Sequence, residues 1–331
     1  MPSRIHPIRC PYANTAVMAY YVDAPSRALI DAGGAEHPHG PIRDGLRELG
    51  LDLADVGAIV NTHGHWDHAG GNAAVVAASG AGVTIHRLGE PLLLGHDAHL
   101  DGYFTQHERA LGRPDLVAER HAAIAGMVGD PTPPERLIEE GDRIDFGDSV
   151  VFTALHVPGH SADMTALYWE REGVLIAGDA AQGTGSRAGS CPLYFHSIAD
   201  ARASLARLRE IPFGTLHVSH PFGRLGTAER ATTFDRDGGL AFLADSLAAL
   251  DILEEAVRAA LRRQPDADFP ALARAATEEL RRLDRWPLEP GPDGHVPANA
   301  APTLHNLWRE LTAGAGPGQH EGAAVDRAEG L

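Results

Sequence analysis

The segment Asn61-Thr62-His63-Gly64-His65-Trp66-Asp67-His68-Ala69-Gly70-Gly71 constrains this chain more than any other. It follows an apolar run, Val56 to Asn61, that reads as a buried strand, and precedes a small-residue run, Ala69 to Ser79, that reads as a helix. A turn leaving a strand splays alternating side chains, so His63 and His65 point one way while Asp67 and His68 point another. Imidazole is the commonest metal ligand, and carboxylate is its usual oxygen companion. Only Cys10 and Cys191 are present, which excludes a disulfide framework and a thiolate metal cage. Any fold for this chain must therefore bring histidine-bearing strand ends together.

Three more positions complete such a set. They are His160 in Val157-Pro158-Gly159-His160-Ser161, Asp179 in Ala177-Gly178-Asp179, and His220 in Val218-Ser219-His220-Pro221. Each ends an apolar run, and α/β folds gather their sites at strand ends along one rim of a sheet. Histidines 63, 65, 68, 160 and 220 with Asp67 and Asp179 suit two ions, and Asp179 is the natural bridging carboxylate. His217, which alternates with Ser219, is the rival of His220 and is read as a core or supporting residue. His156 is read as a strand residue or as a partner behind a ligand.

The remaining pattern supports an α/β sandwich. Thr15 to Val22 and Arg27 to Asp31 read as strands about an Ala24-Pro25-Ser26 turn, and Pro41 opens a helix with Ile42, Leu46 and Leu49 on one face before Gly50 ends it. Val83 to His86 is a further strand. Between Glu90 and Glu140 strand signals vanish, which predicts a helical insertion over about 90–140. Its His96, His99, Tyr103, Phe104 and His107 are candidates for a lid, with Tyr103 and His107 as candidate substrate contacts. Strands resume at Val150 to Val157, Thr165 to Trp169, Val174 to Ala177 and Thr215 to Ser219, with a capped helix opening at Ser197. The organisation expected is a catalytic unit over 1–235, a helical extension over 236–312 and a disordered tail over 313–331. Leu243, Leu247, Leu250, Val257 and Leu261 share one face of the extension, as a packing or homodimer face.

A formal net charge of -17 opposes nucleic-acid and anionic-membrane partners. The sequence contains no lysine, which excludes Schiff-base chemistry and P-loop nucleotide binding. Neither a signal-peptide apolar region nor a membrane-length run is visible, so a cytoplasmic protein is expected. Cys191, in the stretch after Asp179, is read as an inert thiol.

His63-Gly64-His65-Trp66-Asp67-His68, the Pro158-Gly159-His160 turn, Gly178-Asp179 and the strand-end His220 resemble, in order and spacing, the metallo-β-lactamase superfamily of dinuclear metallohydrolases. The resemblance spans roughly residues 5–225 and implies an αββα sandwich with metals at the shared edge of its two sheets. It implies His63, His65 and His160 on one zinc, Asp67, His68 and His220 on the second, and Asp179 bridging. Within the superfamily, true β-lactamases generally lack the bridging aspartate, and flavodiiron oxidoreductases carry Glu where this chain has His65. The glyoxalase II, thioesterase and lactonase branch remains. It implies a hydrolase with two zinc ions that attacks a small-molecule thioester, ester or lactone through a metal-bridging hydroxide held by the catalytic Asp67. An iron-dependent persulfide-dioxygenase-like enzyme and a non-catalytic metal-binding scaffold are the alternatives. Many acyl-homoserine lactonases carry Tyr three residues after the bridging Asp, where this chain has Gln182. Gln182 and Tyr194 are therefore further candidate substrate residues, with Tyr194 as a candidate source of the phenol.

Overall fold

Strand Thr15–Val22 (β2) is buried along its whole length, which requires cover on both of its faces. The computed structural model describes residues 4–100, 109–187, 189–282, 286 and 300–313 and shows what supplies that cover. Strands Ile5–Tyr12 (β1), β2, Ala28–Ile30 (β3), Ala58–Val60 (β4), Gly82–His86 (β5) and Arg136–Ile138 (β6) form one sheet in that order, antiparallel from β1 to β3 and parallel from β3 to β6. The second sheet runs from Arg143–Asp145 (β7) through Val151–His156 (β8), Thr165–Trp169 (β9), Val174–Ile176 (β10) and Thr215–Gly223 (β11) to Arg230–Asp235 (β12). All its pairs are antiparallel except β10 with β11.

Side-chain alternation along β2 explains the layering. Met18, Tyr20 and Val22 face Phe152, Leu167 and Ile176 of the other sheet, whereas Val17, Ala19 and Tyr21 face the helical side. The Tyr20 hydroxyl donates to the Val218 carbonyl at 2.8 Å, tying the sheets together near the end of β11. Helices Pro41–Glu48 (α1) and Asn72–Ser79 (α3) cover the first sheet through Ile42, Leu46 and Val75. Helices Ile198–Glu210 (α7), Arg236–Arg263 (α8), Phe269–Arg282 (α9) and Ala301–Thr312 (α10) cover the second. Leu243, Leu250 and Val257 of α8 enter that core directly, so this face packs against its own chain. Among the described residues, no helix is long and apolar enough to cross a membrane.

Several local expectations need correction. The helix expected over Ala69 to Ser79 is two: Trp66–Ala69 (α2) and α3. Gly71 N donates to the Gly33 carbonyl at 2.9 Å instead of to the helix, which breaks the ladder between the two. β1 escaped notice because Pro7 and Pro11 weaken its strand signal, and it tolerates them as an edge strand. The insertion is helical at Glu90–Leu94 (α4), His96–His99 (α5) and Pro114–Ala125 (α6), but Arg136–Ile138 within it is the edge strand β6. Tyr103, Phe104 and His107, part of the expected helical extension and all but the first residue of the expected tail lie outside the described residues.

Candidate metal centre

β4 ends at Val60, and the next five residues cross the rim of the sheet into α2. Buried side chains fix that crossing. Asn72 donates to Asn61 Oδ1 at 2.7 Å, Gly64 N donates to Asp163 Oδ2 at 2.7 Å, and a Cβ on Gly64 would meet Leu92 Cβ at 2.7 Å. The turn thereby delivers His63, His65 and His68 into one buried cluster with His160 and His220.

Four of the five imidazoles are set from behind. Asp31 accepts from Thr62 N and Thr62 Oγ1 at 2.8 Å each and from His68 Nδ1 at 2.9 Å. With its proton donated to Asp31, the Thr62 hydroxyl accepts from His63 Nδ1 at 3.1 Å. His220 Nδ1 donates to the Ala16 carbonyl at 2.7 Å, and His160 Nδ1 to the Leu193 carbonyl at 2.6 Å. A proton held on Nδ1 makes Nε2 the nitrogen that binds a cation once the ring is neutral, and in all four rings that nitrogen is left for the interior of the cluster.

Ligand atoms within 4.8 Å of one another fall into three overlapping groups: His63, His65 and His160; Asp67, His68 and His220; and His63, His68 and Asp179. Asp179 Oδ2 lies 3.5 Å from His160 Nε2 and 3.2 Å from His220 Nε2, while Oδ1 is 3.8 Å from His68 Nε2. It therefore touches both histidine groups. His63 Nε2, His68 Nε2 and Asp179 Oδ1 are buried with no hydrogen-bond partner among the described residues. Leaving a buried polar atom unsatisfied costs roughly 1–3 kcal/mol, so several together are anomalous unless a cation completes them. The imidazole and carboxylate donor set fits such a cation.

Charge divides the cluster. Burial, reinforced by neighbouring imidazoles, holds His63 and His65 well below the ordinary histidine range, and burial also lowers His160. Burial pulls His68 in the same direction, but Asp67, Asp31 and Asp179 together outweigh it and push it up to about 10. His220 is likewise raised, by Asp179 and Asp67 against burial. Asp179 is held below the usual carboxylate range, His220 and His68 overcoming its burial.

His217 and His156 stand outside these groups: His217 Nδ1 pairs with Thr233 Oγ1 at 2.9 Å, and His156 stacks on His86 at 4.2 Å. Gln182 lies behind His160 rather than across from it, donating to the Leu193 carbonyl at 2.9 Å and accepting from Leu193 N at 2.7 Å. Tyr194 is fully buried in the core of the second sheet, and its hydroxyl donates to the Ala180 carbonyl at 3.3 Å. Both side chains support the fold around the cluster, a correction to the substrate-facing positions expected of them. Burial pushes the Cys191 thiol up, in keeping with an inert residue. In the insertion, Leu92 and His99 lie against the histidine turn, with His99 Nε2 donating to the Gly64 carbonyl at 2.6 Å.

Sequence reasoning missed Tyr12 and Asp31. The Tyr12 hydroxyl donates to Asp67 Oδ2 at 2.9 Å, and its ring sits edge-on to Trp66 and His220. A signal existed for Asp31, which ends the strand read from Arg27, but Tyr12 ends β1, whose strand signal its two prolines weaken.

The metallo-beta-lactamase superfamily model matches residues 14–220. A hydroxyacylglutathione hydrolase from Thermosynechococcus vestitus is 29% identical over 186 residues, covering 56% of this chain and 54% of that protein. The acyl-coenzyme A thioesterase MBLAC2 of Gallus gallus is 30% identical over 191 residues, covering 55% and 62% respectively. This chain thus spans little more than half the length of these relatives. A metallo-beta-lactamase family protein from Thermus thermophilus superposes with a TM-score of 0.58 at 25% identity, covering 85% of this chain and 93% of that one. The two facing sheets, the helices outside them, the histidine cluster on their rim and the match over residues 14–220 agree: this chain belongs to the metallo-beta-lactamase superfamily.

Proposed function

We propose that the chain is a dinuclear zinc hydrolase acting on an acyl thioester. The observation that carries this reading is Asp179, whose carboxylate reaches both histidine groups. His63, His65 and His160 would hold one ion, Asp67, His68 and His220 the other, and Asp179 both. When bound, such a pair polarises a carbonyl oxygen and lets water ionise near neutral pH. Asp67, fixed at one oxygen by Tyr12, orients the nucleophile. A thiolate leaves without a proton, so cleavage of a thioester asks little more of the protein. The relatives named as hydroxyacylglutathione hydrolase and acyl-coenzyme A thioesterase support this substrate class.

Oxygen esters and lactones form the second reading, because Tyr12 places a phenol beside Asp67 where an alkoxide leaving group would gain from a hydrogen-bond donor. The test combines metal analysis with kcat/KM for acyl thioesters, aryl esters and acyl-homoserine lactones. Two zinc ions per chain and a thioester preference are expected. One iron per chain would point instead to a dioxygenase, and a lactone preference to the second reading.

The two positions are expected to load at different pH. His63, His65 and His160 are held below their ordinary values and are neutral at pH 7, so a cation displaces no proton there. His68, pushed up to about 10, must lose a proton to bind. Each displaced proton weakens binding about tenfold per pH unit of acidification, so the second position empties first as pH falls. Zinc retained after dialysis at pH 8, 7 and 6 should drop from two per chain toward one, and parallel loss of both ions would overturn this ordering.

A further inference from the structure

Residues 192–199, which run from the Asp179 loop into the first turn of α7, are gripped from two sides. On the inner side, the Leu193 carbonyl accepts from His160 Nδ1, and Phe195 N donates back to the His160 carbonyl at 3.0 Å. His196 N and Ser197 N both donate to the Gly159 carbonyl at 3.2 Å. The Phe195 ring stands edge-on to His65 and His160, with centroids 5.4 and 5.5 Å away. This short segment sets the rotation and the tautomer of one candidate ligand and packs against another.

On its outer side the segment meets one polar stripe of α10. Thr303 Oγ1 donates to the Pro192 carbonyl at 2.6 Å and accepts from Tyr194 N at 3.0 Å. Asn306 Nδ2 donates to the Tyr194 carbonyl at 2.9 Å. One turn on, Glu310 Oε1 accepts from Ile198 N at 2.7 Å and Oε2 from Ala199 N at 3.1 Å, capping α7 from a separate helix. Positions 303, 306 and 310 fall on one helical face. Thr303 and Asn306 are buried there beside Leu304 and Leu307, which already supply the apolar contact. An apolar face would dock this helix without polar matching. Three polar residues aligned with successive backbone groups of one segment instead fix its position along the helix, because any slip leaves buried donors and acceptors unpaired.

We propose that α10 is a brace for the first metal position: Thr303 and Asn306 hold Pro192 and Tyr194, these fix the Leu193 carbonyl between them, and that carbonyl holds His160 ready to bind. The proposal rests on the metal-site reading above and assigns Thr303 and Asn306 as positioning residues. It gives the C-terminal helix a part in a site from which it is separated by a layer of backbone.

The test uses the full chain and Zn2+, with affinity measured against a competing chelator. A His220→Ala background weakens the second position and isolates the first. Thr303→Val removes the hydroxyl at nearly constant shape, whereas Thr303→Ser keeps both of its hydrogen bonds. Loss of a group that orients a ligand typically lowers metal affinity about 10–100-fold. Thr303→Val should fall at the lower end, roughly tenfold, because Gln182 still holds Leu193 N. Thr303→Ser should restore affinity to the parent value. Amide exchange of Tyr194 in metal-free protein, which does not depend on any ion, should rise in Thr303→Val and return in Thr303→Ser. Faster exchange with unchanged Zn2+ affinity would overturn the brace and leave Thr303 a packing residue. A His220→Ala parent that binds no Zn2+ would instead overturn the metal-site reading, while the exchange result would still report whether Thr303 holds the segment.

Discussion

Asp179→Ala is expected to reduce bound zinc below two per chain and to lower kcat/KM on the best thioester of the panel by on the order of 10³-fold. The basis is position: Asp179 Oδ2 lies within 3.5 Å of nitrogens from both histidine groups, so one truncation removes a donor from each. Charge acts in the same direction. Asp179 is one of the carboxylates that offset the cluster of imidazoles, and without it two bound dications face less compensating negative charge. The fold should survive, because Asp179 stands at the rim beyond the end of β10 and takes no part in the ladder of that strand. Unchanged far-UV circular dichroism with lost metal and lost rate is the expected combination. His217→Ala is the matched control, a histidine of β11 that stands outside the cluster and should keep both ions. A variant at position 179 that held two zinc ions and turned over at the parent rate would remove the central residue from the proposed mechanism.

What the sequence made legible follows from how local each signal is. The histidine turn was readable because its residues are adjacent, and His160, Asp179 and His220 because each closes an apolar run at a strand end. Thr15–Val22 was readable to the residue, being apolar from Ala16 on and bounded by turn residues. β1, β6, β7 and β12 were not. All four lie at sheet edges, where a strand buries one side less and can carry Pro7, Pro11 or a polar run such as Arg230-Ala231-Thr232-Thr233. The supporting shell was hidden for a different reason. Asp31 lies 37 positions from the histidine it orients, and the Leu193 carbonyl that fixes His160 is backbone, invisible to any reading of side-chain types. Tyr194 shows the converse error. A phenol close to Asp179 in sequence invites a catalytic role, but the chain turns it into the core, while Tyr12, 55 positions from Asp67, reaches the site.

Asp31→Ala is expected to destabilise the metal-free protein by roughly 3–5 kcal/mol, the range for removing one member of a buried hydrogen-bonded charged pair. Asp31 is fully buried and accepts from Thr62 N, Thr62 Oγ1 and His68 Nδ1, so alanine leaves two buried side-chain donors and one backbone donor to find other partners. A backbone effect adds to this. Asp31 has φ of +59°, a left-handed conformation that Asp and Asn tolerate better than Ala. Asp31→Asn separates the two contributions. It keeps the shape and the backbone preference but offers a single acceptor oxygen and an amide that can only donate. If that oxygen stays with Thr62, the amide faces His68 Nδ1 donor to donor, which drives the His68 proton to Nε2, the atom required for the second ion. If the oxygen turns to His68, the amide faces the donors of Thr62, and the strand-end turn loosens instead. Either arrangement should cost less than alanine in urea unfolding of the metal-free protein. Both variants should still bind Zn2+ at the first position, more weakly than the parent, because the Leu193 carbonyl still holds His160 while His63 loses part of the Thr62 frame that Asp31 fixes. Equal stability of parent, Asn and Ala proteins would mean that the Asp31 frame does not hold the histidine turn.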